Sequence, residues 1–176
     1  MKNSHKLIYI VTTSLLAALC CVATIVMQIP TPTGGFVNLG DTIIILSAFL
    51  LSPVYAFLSA GLGSMLADIL AGYAQYAPAT FVIKGLMALI ACFILNGTKK
   101  FSQKNNIVSL IVTILTAICA ESIMVAGYFV FEAFILSYGI GGALASLLPN
   151  TMQGLAGIIG GTLLCEIFKR TKINKN

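Results

Sequence analysis

The feature that most limits what this chain can become is a succession of long, almost uncharged apolar runs, at about residues 7–28, 40–52, 53–72, 79–95, 107–132 and 148–168. Backbone amides in lipid must find their hydrogen bonds within their own segment, so runs of this kind become helices. A helix needs about 20 residues to cross a hydrocarbon core of roughly 30 Å, and six such helices use about 120 residues. The chain has 176 residues, which leaves short connections and no room for a soluble catalytic or nucleotide-binding domain. Only 9% of residues are charged, against roughly a quarter in soluble domains, so water is not the main solvent. The expected fold is an all-α integral membrane bundle, one membrane domain over residues 1–176.

The second run is short, and residues 40–72 read either as two spans or as one helix kinked at Pro53. Charge parity separates these readings. With six spans, Lys2 and Lys6, the loop Lys99, Lys100 and Lys104, and the tail Lys169, Arg170, Lys172 and Lys175 all fall on one side. The positive-inside rule makes that side the cytoplasm. With five spans the clusters would oppose the N-terminus. The connections at about 29–39, 73–78 and 133–147 contain no Lys or Arg. Six transmembrane helices with both termini cytoplasmic are therefore expected. The net charge of +5 is a topology signal rather than a nucleic-acid footprint, because the cations edge apolar segments without interleaved aromatics.

The first apolar run is too long for the h-region of a signal peptide, and neither Cys20 nor Cys21 follows a small residue, so a retained first span is expected. Cys20, Cys21, Cys92, Cys119 and Cys165 all lie in apolar segments. They form no C-x-x-C pair and have no His-rich neighbourhood, which reads as small buried thiols with no metal or other cofactor. His5 is the only histidine, and no Ser/His/Asp set or phosphate loop is present, so catalysis is not expected. Residues 61–66 and 154–159 look alike, but small residues at helical spacing explain that, and an inverted repeat gains little support.

Charged side chains inside spans cost about 2.5–3.5 kcal/mol on insertion scales, so each needs a partner or a cavity. Asp68 shares a face with Ala60, Ser64, Ala67 and Ala71, the small-residue side that packs into the bundle. Lys84 lies with Thr80, Ala88 and Ala91. Glu121, Tyr128 and Glu132 repeat at i, i+7 and i+11 on one face. Asn150 and Gln153 open the last span, followed by Gly154, Gly157 and Gly161, and Asp41 starts the second. Under the six-span topology Asp41, Asp68, Lys84, Tyr128, Glu132, Asn150 and Gln153 all fall in the outer half, which points to a polar pocket open to the outside. A structural reading of some of them has Lys84 paired with Asp68 or Glu121 and Asp41 capping a helix N-terminus. Glu166, beside Lys169 and Arg170, reads as a solvated pair. The turn-rich segment from Pro30 to Asn38 cannot continue a helix and suits a lid; Tyr73 to Pro78 and the Gly139, Gly141, Gly142 stretch join it on the same side.

Four segments carry a family resemblance: Asn38-Leu-Gly-Asp41, Leu51-Ser-Pro-Val54, Gly61-Leu-Gly-Ser-Met-Leu-Ala-Asp68 and Tyr76-Ala-Pro-Ala-Thr-Phe-Val-Ile-Lys-Gly85. Together they resemble the substrate-binding S components of energy-coupling factor (ECF) transporters, nearest the branch for hydroxymethylpyrimidine and pyridoxine-type vitamins. The resemblance implies a multi-pass protein of the bacterial cell membrane that captures a vitamin from outside under a lid made by the first outer loop. It implies partners as well: a membrane coupling (T) subunit and two cytoplasmic ATPases, whose ATP hydrolysis tips the S component inward. The substrate-binding candidates are then Lys84, Asp68, Asn38, Tyr76, Glu121, Tyr128, Asn150 and Gln153. The family's first span carries an Ala-x-x-x-Ala docking surface; the equivalents here are Ser14-x-x-x-Ala18 and Ala17-x-x-x-Cys21, making Ser14, Ala17, Ala18 and Cys21 the docking candidates. The competing reading is an autonomous ion-coupled secondary transporter in which Asp68 and Glu121 titrate. An enzyme acting on lipid is disfavoured, because the acids lie mostly on the outer side.

Overall fold

The computed structural model describes residues 2–31, 35–102 and 105–173. Pro32, Thr33, Gly34, Lys104 and Lys175 lie outside the described residues, as do the side chains of Lys2 and Lys172. The helices are α1 Lys2–Val26, α2 Gly40–Leu50, α3 Pro53–Leu70, α4 Ala77–Ser102, α5 Asn106–Val130 and α6 Gly139–Ile173. Five of them, α1 and α3 to α6, are long and apolar enough to cross a membrane, while α2 has only 11 residues. At 1.5 Å per residue α2 is about 16 Å long, half a hydrocarbon core. It packs against α1, α3, α4 and α6, and Ile44, Ile45 and Ser47 are fully buried. Neighbouring helices thus stand where lipid would otherwise meet its ends.

Residues 40–72 form two helices. Leu51 and Ser52 are extended, with ψ of 166° and 161°, and Pro53 takes the first position of α3. Proline disfavours helical geometry in the residue before it, while its fixed φ and missing N–H suit a helix start. The small residues of α3 do face the bundle: Ala60 and Ala67 have no exposed surface, and Ser64 and Asp68 are buried. Close approach to α4 depends on Gly61, where a Cβ would stand 2.8 Å from the Phe81 carbonyl oxygen.

The sequence predicts a connection over 133–147, and there the structure is different. After α5 the chain makes one wide π-helical turn, Phe131–Ile135, then a tight turn in which Ser137 (φ 59°) and Gly139 (φ 69°) take left-handed conformations. α6 then begins at Gly139 and continues through Pro149. Glycines at 139, 141 and 142 lower local helix propensity, but burial of Ala143 and Ser146 fixes the turn against the bundle. The connection between α1 and α2 holds a small β element that an all-α reading omits: β1 (Ile29–Pro30) pairs antiparallel with β2 (Phe36–Val37). Cys20, Cys92 and Cys165 are buried and Cys21 partly so, but Cys119 is exposed. Its face of α5, with exposed Leu115 and Ile118, is apolar without protein cover. That is the surface a membrane protein turns to lipid.

Candidate functional site

The starts of α2, α4 and α6 and the ends of α3 and α5 meet at one end of the bundle, opposite Lys99, Lys100, Lys169 and Arg170. Asn38 organises the start of α2. Its side-chain oxygen accepts from Gly40 N at 2.8 Å, while its own N and Nδ2 donate to Gln153 Oε1 at 3.0 and 3.1 Å. Gln153 Nε2 in turn donates to Asp41 Oδ2 at 2.6 Å, and Lys84 Nζ donates to Asp41 Oδ1 at 2.5 Å. This chain of bonds ties α2, α6 and α4 together in a region with almost no solvent. Asp41 makes no side-chain cap, and Asn38 takes that role. Asp41 still sits in the first turn of α2, where the N-terminal dipole favours a carboxylate, but its partners are Lys84 and Gln153. Lys84 therefore pairs with neither Asp68 nor Glu121.

Above this network lies a cavity of about 40 Å³, lined by Phe36, Asn38, Asp68, Tyr73, Tyr76, Thr80, Tyr128, Glu132, Ser146, Asn150 and Gln153, among others. Its walls are aromatic: Phe36 lies against Tyr73 with ring centroids 4.8 Å apart, and Tyr76 lies 5.5 Å from Phe131 and 6.4 Å from Tyr128. Tyr76 Oη donates to Glu132 Oε1 at 3.3 Å, and the hydroxyls of Thr80 and Tyr128 are 2.9 Å apart. Asp68 Oδ2 and Glu132 Oε2 are buried with no hydrogen-bond partner among the described residues. Unsatisfied buried acceptors are rare, because each forfeits its hydration without replacement. Two of them in one aromatic cavity leave room for donors brought by a ligand.

Of the residues singled out in the sequence, the cavity brings together Asn38, Asp68, Tyr76, Tyr128, Asn150 and Gln153. Lys84 and Glu121 do not line it. Lys84 is 3% exposed and stands behind Tyr128, its ammonium 5.5 Å from that ring's centroid. Glu121 lies deeper, against Gly154 and Gly157 of α6. It is buried, and neither of its oxygens has a hydrogen-bond partner among the described residues. Glu132 lines the cavity and Glu121 does not, and the repeat of Glu121, Tyr128 and Glu132 along one face already marked it. Phe36, Tyr73, Thr80 and Ser146 carried no comparable signal, since hydroxyls and rings near a membrane surface are ordinary. The docking candidates divide. Ser14 and Ala18 are exposed on α1, Ala17 and Cys21 are partly covered, and the Ala17 backbone abuts Gly63 of α3.

A family model described as the S component of ECF-type riboflavin transporters matches residues 4–170. The chain belongs to the S components of ECF-type transporters. An uncharacterized protein in the gap 3' region of Pyrococcus woesei is 37% identical to this S component over 150 residues, covering 85% of this chain and 93% of that protein. The thiamine precursor transporter HmpT of Lactococcus lactis subsp. cremoris (strain MG1363) is 29% identical over 145 residues, covering 82% of this chain and 76% of the relative. Two solved structures share the fold. The crystal structure of the S-component for biotin from an ECF-type ABC transporter has a TM-score of 0.62 at 19% identity, over 96% of this chain and 95% of that one. The S component of a bacterial ECF transporter has a TM-score of 0.59 at 18% identity, over 99% and 98%. This S component is thus a multi-pass membrane protein of vitamin uptake, and its family and structural neighbours are transporter subunits rather than enzymes.

Proposed function

We propose that this S component captures a small, donor-rich aromatic heterocycle of the hydroxymethylpyrimidine or pyridoxine type and delivers it inward through an ATP-driven complex with a membrane coupling subunit and two ATPases. Six spans with both termini cytoplasmic place the cavity on the outer side, with α2 as a short span shielded by its neighbours. The observation that carries the substrate class is the pair of uncommitted carboxylate oxygens on Asp68 and Glu132, inside aromatic walls. An exocyclic amine or hydroxyl on a flat ring donates to such oxygens while its faces stack on Tyr76 or Tyr128. Similarity to a thiamine precursor transporter supports the pyrimidine. The family model's description favours a second reading, riboflavin. The cavity's volume of about 40 Å³ has room for a few waters, so any vitamin must displace Phe36 and Tyr73. A single ring demands less displacement than a fused tricycle.

Calorimetric titration of the purified protein with hydroxymethylpyrimidine, pyridoxine and riboflavin tests this. Hydroxymethylpyrimidine or pyridoxine is expected to bind, and Asp68→Asn and Glu132→Gln should each weaken it by about 1.5–3 kcal/mol, the worth of a charged hydrogen bond, or ten- to a hundredfold and more. Tight riboflavin binding that both variants leave unchanged would replace this reading with the second.

A further inference from the structure

The other end of the bundle holds a larger space, about 540 Å³, between the end of α4, the start of α5 and the end of α6. Its floor is apolar, formed by Ala48, Phe49 and Leu95, and its rim is basic and polar, with Lys99, Arg170, Asn96 and Asn106. Lys169 at its side is already committed. Its ammonium donates to Glu166 at 2.6 Å, Ser109 Oγ at 2.8 Å and Thr113 Oγ1 at 2.9 Å, and lies 5.5 Å from the Phe49 ring centroid. The Glu166–Lys169 pair thus lies along α6, partly exposed at 20% and 25%, and Lys169 also ties α6 to α5 through Ser109 and Thr113. Among the described residues Glu166 is the only carboxylate lining the space, and it is occupied by Lys169. Lys99 and Arg170 come from different helices and form no salt bridge among the described residues.

We infer that this space is a binding site for the phosphate headgroup of an anionic phospholipid. Two free cations converge on its mouth, and a guanidinium fork matches phosphate oxygens in geometry as well as charge. The amides of Asn96 and Asn106 add donors. The apolar floor suits the first part of an acyl chain, which a free phosphate would leave unused. The level also fits, because basic pockets where membrane helices end sit at the depth of headgroups.

The test is native mass spectrometry of the delipidated full-length protein in detergent, titrated with phosphatidylglycerol or phosphatidylcholine. Phosphatidylglycerol should be retained on the order of tenfold more strongly, as charge-assisted contacts imply. The exposed double variant Lys99→Gln/Arg170→Gln should lose that preference at an unchanged melting temperature. Lys100→Gln also removes an exposed cation, but outside the space, and should keep the preference. Millimolar inorganic phosphate distinguishes the sources. If it leaves the lipid in place, the lipid assignment stands; if phosphate binds there in the lipid's stead, the site belongs to a free anion and the lipid assignment falls. Equal retention of both lipids, or a preference untouched by the double variant, overturns the site. Retention of neither lipid nor phosphate also overturns it and leaves the cations to an acidic protein partner.

Discussion

Replacing Lys84 by methionine separates scaffold from ligand contact more sharply than any other change. Methionine keeps the length of the side chain and removes the ammonium that donates to Asp41 at 2.5 Å. Both side chains of this pair are almost wholly buried, at 4% and 1% exposure, so water cannot replace the lost partner. Breaking one side of a buried pair typically costs about 3–5 kcal/mol, because the remaining charge stays desolvated. Gln153 Nε2 still donates to Asp41 Oδ2, which should hold the loss near the lower figure. For a chain of this size that is a fall in melting temperature on the order of 10 °C. Because Lys84 does not line the cavity, the affinity of the surviving folded protein should stay within a few-fold of the original. Adding Asp41→Asn to Lys84→Met removes the stranded charge, and the double variant should regain more than half of the lost stability, a coupling a double-mutant cycle measures directly. The assays are thermal unfolding in detergent and calorimetric titration with the bound vitamin. A large loss of affinity at an unchanged melting temperature would refute the argument and return Lys84 to the ligand.

Glu121→Gln preserves shape and removes a buried carboxyl group for which the described residues supply no hydrogen bond, so the melting temperature should hold or rise. Uptake should survive in this variant, whereas an ion-coupled carrier using Glu121 would lose it. Ala18→Leu adds bulk to an exposed position on α1 and should abolish uptake with ligand binding intact, because close helix approach needs small residues; normal uptake would put docking elsewhere. Gly61→Ala drives a Cβ against the Phe81 backbone and should destabilise by about 1–3 kcal/mol, as overpacking does; an unchanged melting temperature would show that α3 and α4 are not held so close. For topology, a cysteine at exposed Ile140 should be labelled by a membrane-impermeant thiol reagent from outside in intact cells, and protection there would contradict the six-span arrangement.

Much of this molecule is written in local composition. Length and hydropathy are properties of each segment alone, so they fix a helical membrane protein and its long spans, whereas the break before Pro53 rests on charge parity along the whole chain. The spacing of Lys and Arg marks one end as basic, and the cost of polar groups in lipid picks out Asp68, Tyr128, Glu132, Asn150 and Gln153, which the fold gathers around one cavity, as well as Asp41, Lys84 and Glu121, which do not line it; Asn38 and Tyr76, which do, enter through the family resemblance. What only the tertiary structure decided is pairing. Whether Lys84 meets Asp41, Asp68 or Glu121 depends on the rotation and mutual approach of several helices, which glycines at 61 and 157 set by where they admit a neighbour. The same holds for Glu132, which the π-helical turn carries toward Tyr76 while Glu121, on the same helix, faces α6 instead. Residues 139–147 looked like loop because glycine propensity is local, yet they are helical because Ala143 and Ser146 are buried against the bundle. Hydropathy shows which side chains must avoid lipid, but only packing chooses the partner that each one finds.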